Sequence, residues 1–280
     1  MTASSSLRGR WRRLKLGLPT VLGMKPRGWF IPHRYAPLLP PPGAQPPYPA
    51  IEALFEQHAE AFRAVLDAVD ANAAALEARR ALFEQSWFPS LDGAVAYALV
   101  RERKPRRIIE VGSGHSTRVL ASAHGGMGEI VAIDPAPRAD IADLPGVRIV
   151  ASTLQAAPLS LFDDLAAGDL LFIDSSHILM PGSDVDILLN RVLPALPPGA
   201  LVHIHDVFLP FDYPSIWGWR AYNEQQGIAP LLANGAYRPV FSSAWAERRL
   251  ADRLSSSVVP RLPRLPDAIA ASLWLEKCRS

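Results

Sequence analysis

At 280 residues, with 49% hydrophobic and 20% charged residues, the chain has the size and composition of one large globular domain or two small ones, which excludes wholesale disorder. Its single cysteine, Cys278, excludes a disulfide scaffold and fits a reducing, cytoplasmic setting. The formal net charge of +2 hides an asymmetry: residues 1–50 hold eight bases and no acid, leaving 21 bases against 27 acids in the rest, a net of −6.

In the basic arm, Leu7, Trp11, Leu14 and Leu18 recur at helix spacing among Arg8, Arg10, Arg12, Arg13 and Lys15. That pattern suits peripheral contact with an anionic membrane surface; the alternatives are a frayed terminus or packing on the acidic body. Lys15, Gly17 and Pro19 interrupt any secretory-type apolar core, and no apolar run is long enough to predict a transmembrane helix. Residues 32–49 contain eight prolines, which predicts an extended strap along a surface, with a proline-rich partner motif as the alternative. Residues 1–49 are therefore expected to be arm and strap.

A helical extension is expected over residues 50–86. Ile51, Leu54, Phe55, Phe62, Val65, Leu66, Val69 and Leu76 recur at three- and four-residue steps, predicting helix over 51–83. Covering a substrate site, pairing with a second subunit in a homodimer, and simple packing on the body all remain open for this segment.

From residue 87 to 280 the pattern alternates. A helix is predicted over 91–103, ending before Pro105. Strands are predicted at 107–111, 129–133, 147–150, 169–173 and 200–205, with helices over 116–124 and 184–193 between them. Two more strand candidates lie at 238–242 and 271–277. Short β-branched runs separated by helices predict an α/β fold with a mostly parallel sheet, whose ligands bind beyond the carboxyl ends of the strands. Those ends carry Glu110 and Gly112, Asp134, Asp174 and Asp206.

The loop Glu110-Val-Gly-Ser-Gly-His-Ser-Thr117 joins the first strand to a helix. Gly112 and Gly114 permit positive φ and close approach of a ligand, and Ser116 or Thr117 is placed to cap the helix. Threonine stands where a dinucleotide loop would carry its third glycine, and no Gly-Lys-Ser/Thr follows, so a pyrophosphate is a poor fit. Asp134, 24 residues after Glu110 at the next strand end, can accept both hydroxyls of a ribose. Together they suggest a nucleoside-bearing ligand without a diphosphate.

The pieces Glu110-Val-Gly-Ser-Gly114, Ile133-Asp134, Phe172-Ile-Asp-Ser-Ser-His177 and His203-Ile-His-Asp-Val-Phe208 resemble the class I S-adenosylmethionine-dependent methyltransferases. The resemblance spans about Trp87 to Pro214 and is closest to the small-molecule O-methyltransferase branch. It implies a Rossmann-like, mostly parallel seven-stranded sheet with helices on both faces, to which the N-terminal helical extension is added. It implies S-adenosyl-L-methionine as cofactor, held by Glu110 near the methionine amino group, Gly112, Ser113, Gly114 and Ser116 in the loop, and Asp134 on the ribose. Gln155 stands near the adenine and Asp174 also borders the cofactor.

In catechol-type relatives the aspartate matching Asp174 binds magnesium, and a lysine base stands three residues later, where this chain has His177. Imidazole titrates near neutrality, so His177 can take a hydroxyl proton. Asp174, Asp206 and His205 would offer two oxygens and one nitrogen to magnesium or another divalent metal. The alternative is that these acids bond loop backbone or pair with bases. His203, on the same strand face as His205, reads as a buried core histidine, with support of the site's ligands from behind as the alternative. The aromatic loop Phe208–Pro214 with Trp217 and Trp219 reads as a pocket rim or a packed lid, with Asp212 and Tyr213 as polar contacts.

The expected activity is therefore methyl transfer to a hydroxyl of a small-molecule acceptor, with N-methylation, macromolecule methylation and a non-catalytic cofactor-binding protein as alternatives. The acidic body argues against nucleic acid.

Overall fold

Short β-branched runs build the centre of the larger unit of the chain. Such residues fit a pleated surface, and strands buried on both faces read as continuous apolar segments. The computed structural model describes residues 7–25 and 27–278; residues 1–6 of the predicted arm, Pro26 and residues 279–280 lie outside that description. Two units are distinguished. One joins the arm and strap up to Pro47 with Phe211–Tyr222; the other comprises Tyr48–Pro210 and the chain from Asn223 onward. The segment read as a helical extension thus shares a unit with the sheet.

In the smaller unit, α1 (Leu7–Val21) precedes the proline-rich strap. The strap is pinned by Asp212, whose Oδ2 accepts the backbone N–H groups of Gly43 (2.7 Å) and Gln45 (3.3 Å). Asp212, expected as a polar contact in a pocket rim, is therefore spent on the strap. Phe211 and Tyr213 are buried, with Tyr213 edge-on to Tyr222.

In the larger unit the stretch 51–83 is not one helix. It forms α2 (Pro49–Gln57), α3 (Ala59–Ala71), α4 (Ala73–Ala78) and a 3-10 turn over Arg80–Phe83. At each break a side chain bonds the carbonyl four residues back. His58 Nδ1 lies 2.9 Å from Leu54 O, Asn72 Nδ2 donates to Ala68 O (2.8 Å), and Arg79 Nη1 donates to Ala75 O (3.1 Å). A side chain that bonds the carbonyl four residues back competes with the helical ladder and bends it. Phe55, Phe62, Leu66 and Leu76 are fully buried, and α3 packs against β6 (Tyr237–Ser242) and α5 (Ser90–Arg103). Of the three uses left open for this segment, the described contacts are those of packing on the body.

Helix α5 is buried around nearly its whole circumference, which its small residues allow; a Cβ at Gly93 would lie 2.8 Å from Phe83 Cε1. It ends at Lys104, whose left-handed φ of 50° precedes Pro105. Then come β1 (Arg107–Val111), α6 (His115–His124), β2 (Glu129–Ile133), β3 (Val147–Val150) and β4 (Leu170–Ile173). The predicted helix 184–193 is α7 (Asp184–Ile187) followed by a π turn (Leu188–Val192) and α8 (Leu193–Ala195). Pro194 carries no N–H for a regular ladder at that point. The chain ends with β5 (Leu201–Ile204), α9 (Glu224–Ala233), β6, α10 (Ser243–Arg249), α11 (Ala251–Ser255) and β7 (Leu273–Lys277).

Among the described residues one seven-stranded sheet forms, in the order β3-β2-β1-β4-β5-β7-β6. β1 to β5 pair in parallel, and β7 runs antiparallel to both β5 and β6. The order reverses between β1 and β4, so the carboxyl ends of these neighbours border the crevice where such sheets bind ligands.

Candidate active site

Every acid singled out at a strand end lies along that carboxyl edge. Gly112 sits at the reversal point with φ +80°, and a Cβ there would be 1.8 Å from the Asp174 carbonyl oxygen. Glycine is required here by the approach of the β4 backbone itself. Gly114 (φ +153°) lies close under Arg138, where an added Cβ would meet Arg138 Cβ at 3.2 Å. Gly114 is also the residue at which α6 begins. Neither Ser116 nor Thr117 occupies the cap: Thr117 Oγ1 accepts the Gly114 N–H (2.9 Å) from three positions inside the helix.

Both hydroxyls instead serve Glu110. Ser116 Oγ and Thr117 Oγ1 each stand 2.6 Å from its carboxyl oxygens. Glu110 is completely buried, and burial pushes its carboxyl up to about 8 despite those two bonds. Asp134 is half-buried and organises the loop. Its Oδ2 accepts the N–H (2.7 Å) and Oγ (3.2 Å) of Ser113, and its Oδ1 accepts the Ala136 N–H (2.7 Å). A carboxylate has about four acceptor positions, so capacity for a ligand hydroxyl remains. Gln155 is exposed, its amide 3.5 Å from Gly182 O.

The ends of β4 and β5 converge on one imidazole. His177 Nε2 is 3.3 Å from Asp174 Oδ1 and 3.5 Å from Asp206 Oδ2, while Nδ1 is 3.0 Å from Glu224 Oε2. His177 and Asp206 both hold left-handed backbone, φ 62° and 56°, strain of a kind that collects at functional sites. Burial alone would lower the His177 pKa, but the bonds to Asp174 and Glu224 and the charge of Asp206 raise it well above 6.5. Burial would likewise raise Asp174; the His177 bond and the charges of His205, His177 and Arg138 outweigh it and hold the carboxyl well below the usual range. Both ring nitrogens thus face carboxyl groups, an arrangement that favours the charged form of the ring.

His205 points elsewhere. Its Nε2 is 3.0 Å from the Trp87 carbonyl and 3.5 Å from Asp206 Oδ1. The expected metal set of Asp174, Asp206 and His205 does not assemble. Both carboxylates face the His177 cation, the His205 nitrogen nearest them is engaged by backbone, and among the described residues no group of three or more His, Cys, Asp or Glu side chains is arranged to hold a metal. These residues do not fit the divalent ion that the resemblance implied. His203 is fully buried, stacked on Phe172 at 3.8 Å and bonded to Ser272 Oγ at 2.8 Å, as a core histidine should be.

Two contributors carry no sequence signal. Glu224 opens α9, 47 residues beyond His177. Arg138 lies over the Trp87 ring at 4.6 Å, from a loop after β2. A separate cleft lined by Leu159, Phe162, Leu165, Arg191, Val192 and Leu196 sits among the segments entering β4 and β5, and gathers none of these residues.

Residues 109–207 match the family model described as a methyltransferase domain. No curated protein matches the chain. Among solved structures, the O-methyltransferase TomG of Streptomyces achromogenes, involved in tomaymycin synthesis and solved with SAM, is 18% identical and covers 77% of this chain and 90% of its own, with a TM-score of 0.40. A Bacillus cereus O-methyltransferase solved with SAH is 16% identical, covering 77% and 91%, at 0.39. A methyltransferase from Geobacter sulfurreducens is 16% identical, covering 76% and 89%, at 0.40. At such identities and TM-scores these likenesses carry no argument. The stretch that resembles the methyltransferase-domain model, residues 109–207, carries the glycine loop and the strand-end acids described above, on a sheet of Rossmann-like order.

Proposed function

We propose that the protein is an S-adenosylmethionine-dependent methyltransferase acting on a hydroxyl of a small-molecule acceptor. The observation that carries this reading is the placement of two chemistries on one sheet edge. The glycine loop with Asp134 lies at the ends of β1 and β2, and the Asp174–His177–Asp206 cluster lies at the ends of β4 and β5.

The first set fits the cofactor: a loop bent by two glycines, and a carboxylate with acceptor capacity to spare. Gly112, Ser113, Gly114 and Asp134 would hold it, with Glu110 beneath the loop and Gln155 at its far side. When bound, S-adenosyl-L-methionine supplies an electrophilic methyl group on a sulfonium. The chain's own task is to align an acceptor and relieve it of a proton.

Asp174 and Asp206 are the groups suited to accept a hydrogen bond from the acceptor hydroxyl, and Asp206 would take its proton as the oxygen–methyl bond forms and the sulfonium carbon–sulfur bond breaks, leaving S-adenosylhomocysteine. His177 orients both, because one ring nitrogen faces the pair while Glu224 fixes the other. In its charged form His177 orients these groups and cannot take a proton; its role as base requires the neutral form. No step is assigned to a metal, since the donors do not fit one. A cytoplasmic location accords with the lone, exposed Cys278.

Calorimetric titration with S-adenosylhomocysteine tests the reading. Micromolar binding is expected, weakened about ten- to a hundredfold in Asp134→Ala and unchanged by magnesium or a chelator. A hydroxyl-bearing acceptor panel then tests turnover. No binding by the wild-type chain overturns the cofactor; binding without turnover on any acceptor favours a non-catalytic role.

A further inference from the structure

Helix α1 presents its apolar residues the wrong way round for a helix that merely packs on protein. Leu7, Trp11, Leu14, Leu18 and Leu22 follow one another at three- and four-residue steps, hence on one stripe. That stripe is exposed: Trp11 by 68%, Leu14 by 54% and Leu18 by 53%. The covered face is the opposite one, where Gly9 is buried and Leu16, Gly17 and Thr20 are half-buried. Within the same unit, the Arg13 guanidinium donates to the carbonyls of Gly218 and Trp219, and Arg12 lies over the Trp219 ring at 5.1 Å. The helix is thus anchored by its polar side, with its apolar side turned out.

A second apolar segment, Trp29-Phe30-Ile31, is also exposed. Among the described residues, thirteen of the seventeen exposed large apolar side chains lie between Leu7 and Leu39. The charge around them has one sign. Residues 1–50 contain eight bases and no acid, and Arg10 and Lys15 fall on either flank of the stripe. Long basic side chains beside an apolar stripe can reach headgroups while the stripe enters the acyl boundary. No described helix is long and apolar enough to cross a membrane, so such a helix would lie in the interface plane.

We propose that α1 and the Trp29–Ile31 segment form a peripheral docking surface for an anionic lipid bilayer. Charge complementarity chooses this occupant. Two copies of the arm would set eight bases against eight with no acid to offset them. A nucleic-acid surface would bring phosphates but no apolar layer for Leu7, Leu14 and Leu18.

Co-sedimentation of the full chain with vesicles tests the proposal. Retention is expected on phosphatidylcholine vesicles containing phosphatidylglycerol at about one third, and should fall about tenfold or more on pure phosphatidylcholine or at high salt. Trp11→Glu with Leu14→Glu should abolish retention. Lys15→Gln with Lys25→Gln should weaken it by about fivefold per charge removed. All four side chains are exposed, so far-UV circular dichroism and melting temperature should stay unchanged. The proposal is overturned by absence of retention on anionic vesicles, by equal retention on neutral ones, or by retention that survives Trp11→Glu with Leu14→Glu. A lipid-free dimer dissolved by those substitutions, or tighter binding to RNA than to vesicles, would reassign the surface to a second copy or to nucleic acid.

Discussion

The single residue that says most about the chemistry is His177. A base would have to be neutral, yet this ring meets carboxylates through both nitrogens, and their bonds and charges outweigh the desolvation that would neutralise it. With acceptor in hand, kcat/KM should hold while the ring is charged and decline as pH rises through its elevated pKa. His177→Gln, which keeps a donor but cannot titrate, should lose much of kcat and also lose that alkaline limb. A rate that climbs through the same range in the wild-type enzyme would make His177 the base. The sequence pointed to His177, Asp174 and Asp206 because each follows a β-branched run at its carboxyl end. It could not point to Glu224, because nothing local marks a residue 47 positions away as the partner of a buried ring. Gly112 was legible for a related reason: a glycine directly after a central strand signals close backbone approach. What approaches, the Asp174 carbonyl at the switch point, is a fact of topology.

At the scale of elements, the strands were the most legible part. β1 and β2 end where their apolar runs do, since central parallel strands are buried on both faces and stop where glycine or a charged residue appears, and the partly buried edge strand β3 also keeps its predicted bounds. Helix continuity was not legible. The periodicity over 51–83 is real, but His58, Asn72 and Arg79 spend their side chains on the carbonyl four residues back, and hydropathy has no record of that. The broken segments still bury one apolar face. Phe62 lies at its centre, 5.6 Å from Phe55, 5.7 Å from Phe241 and 5.3 Å from Trp245, centroid to centroid. Phe62→Ala should therefore cost about 3–5 kcal/mol, and Phe62→Leu markedly less, because leucine fills much of the cavity. Urea denaturation measures both. A cost within about 0.5 kcal/mol for the alanine variant would mean that α3 adds little to the sheet-bearing unit.

Over the whole molecule, buried titratable groups set how stability responds to pH. Glu110 keeps its proton up to about 8 in the fold, against 4.5 ordinarily, so between those values the folded chain holds a proton that the unfolded chain has lost. Stability therefore declines as pH rises through that window. His203 works on the acid side. Burial first, then the charge of His205, depresses its pKa well below 6.5, so the unfolded ring takes a proton that the folded ring refuses, and stability declines as pH falls below about 6.5. Urea midpoints across pH should show Glu110→Gln flattening the alkaline decline and His203→Gln the acid one. Charge asymmetry, the α/β alternation, the strand-end acids and the glycine loop were all present in the sequence itself, because each depends on residues within one element or one turn of chain. The strand order, the capture of His177 by three carboxylates, the diversion of His205 to the Trp87 carbonyl and the outward turn of the α1 stripe were decided only in three dimensions. Each of these depends on which distant segments meet, and hydrophobic periodicity specifies that a face is buried or exposed in general, never what it will be set against.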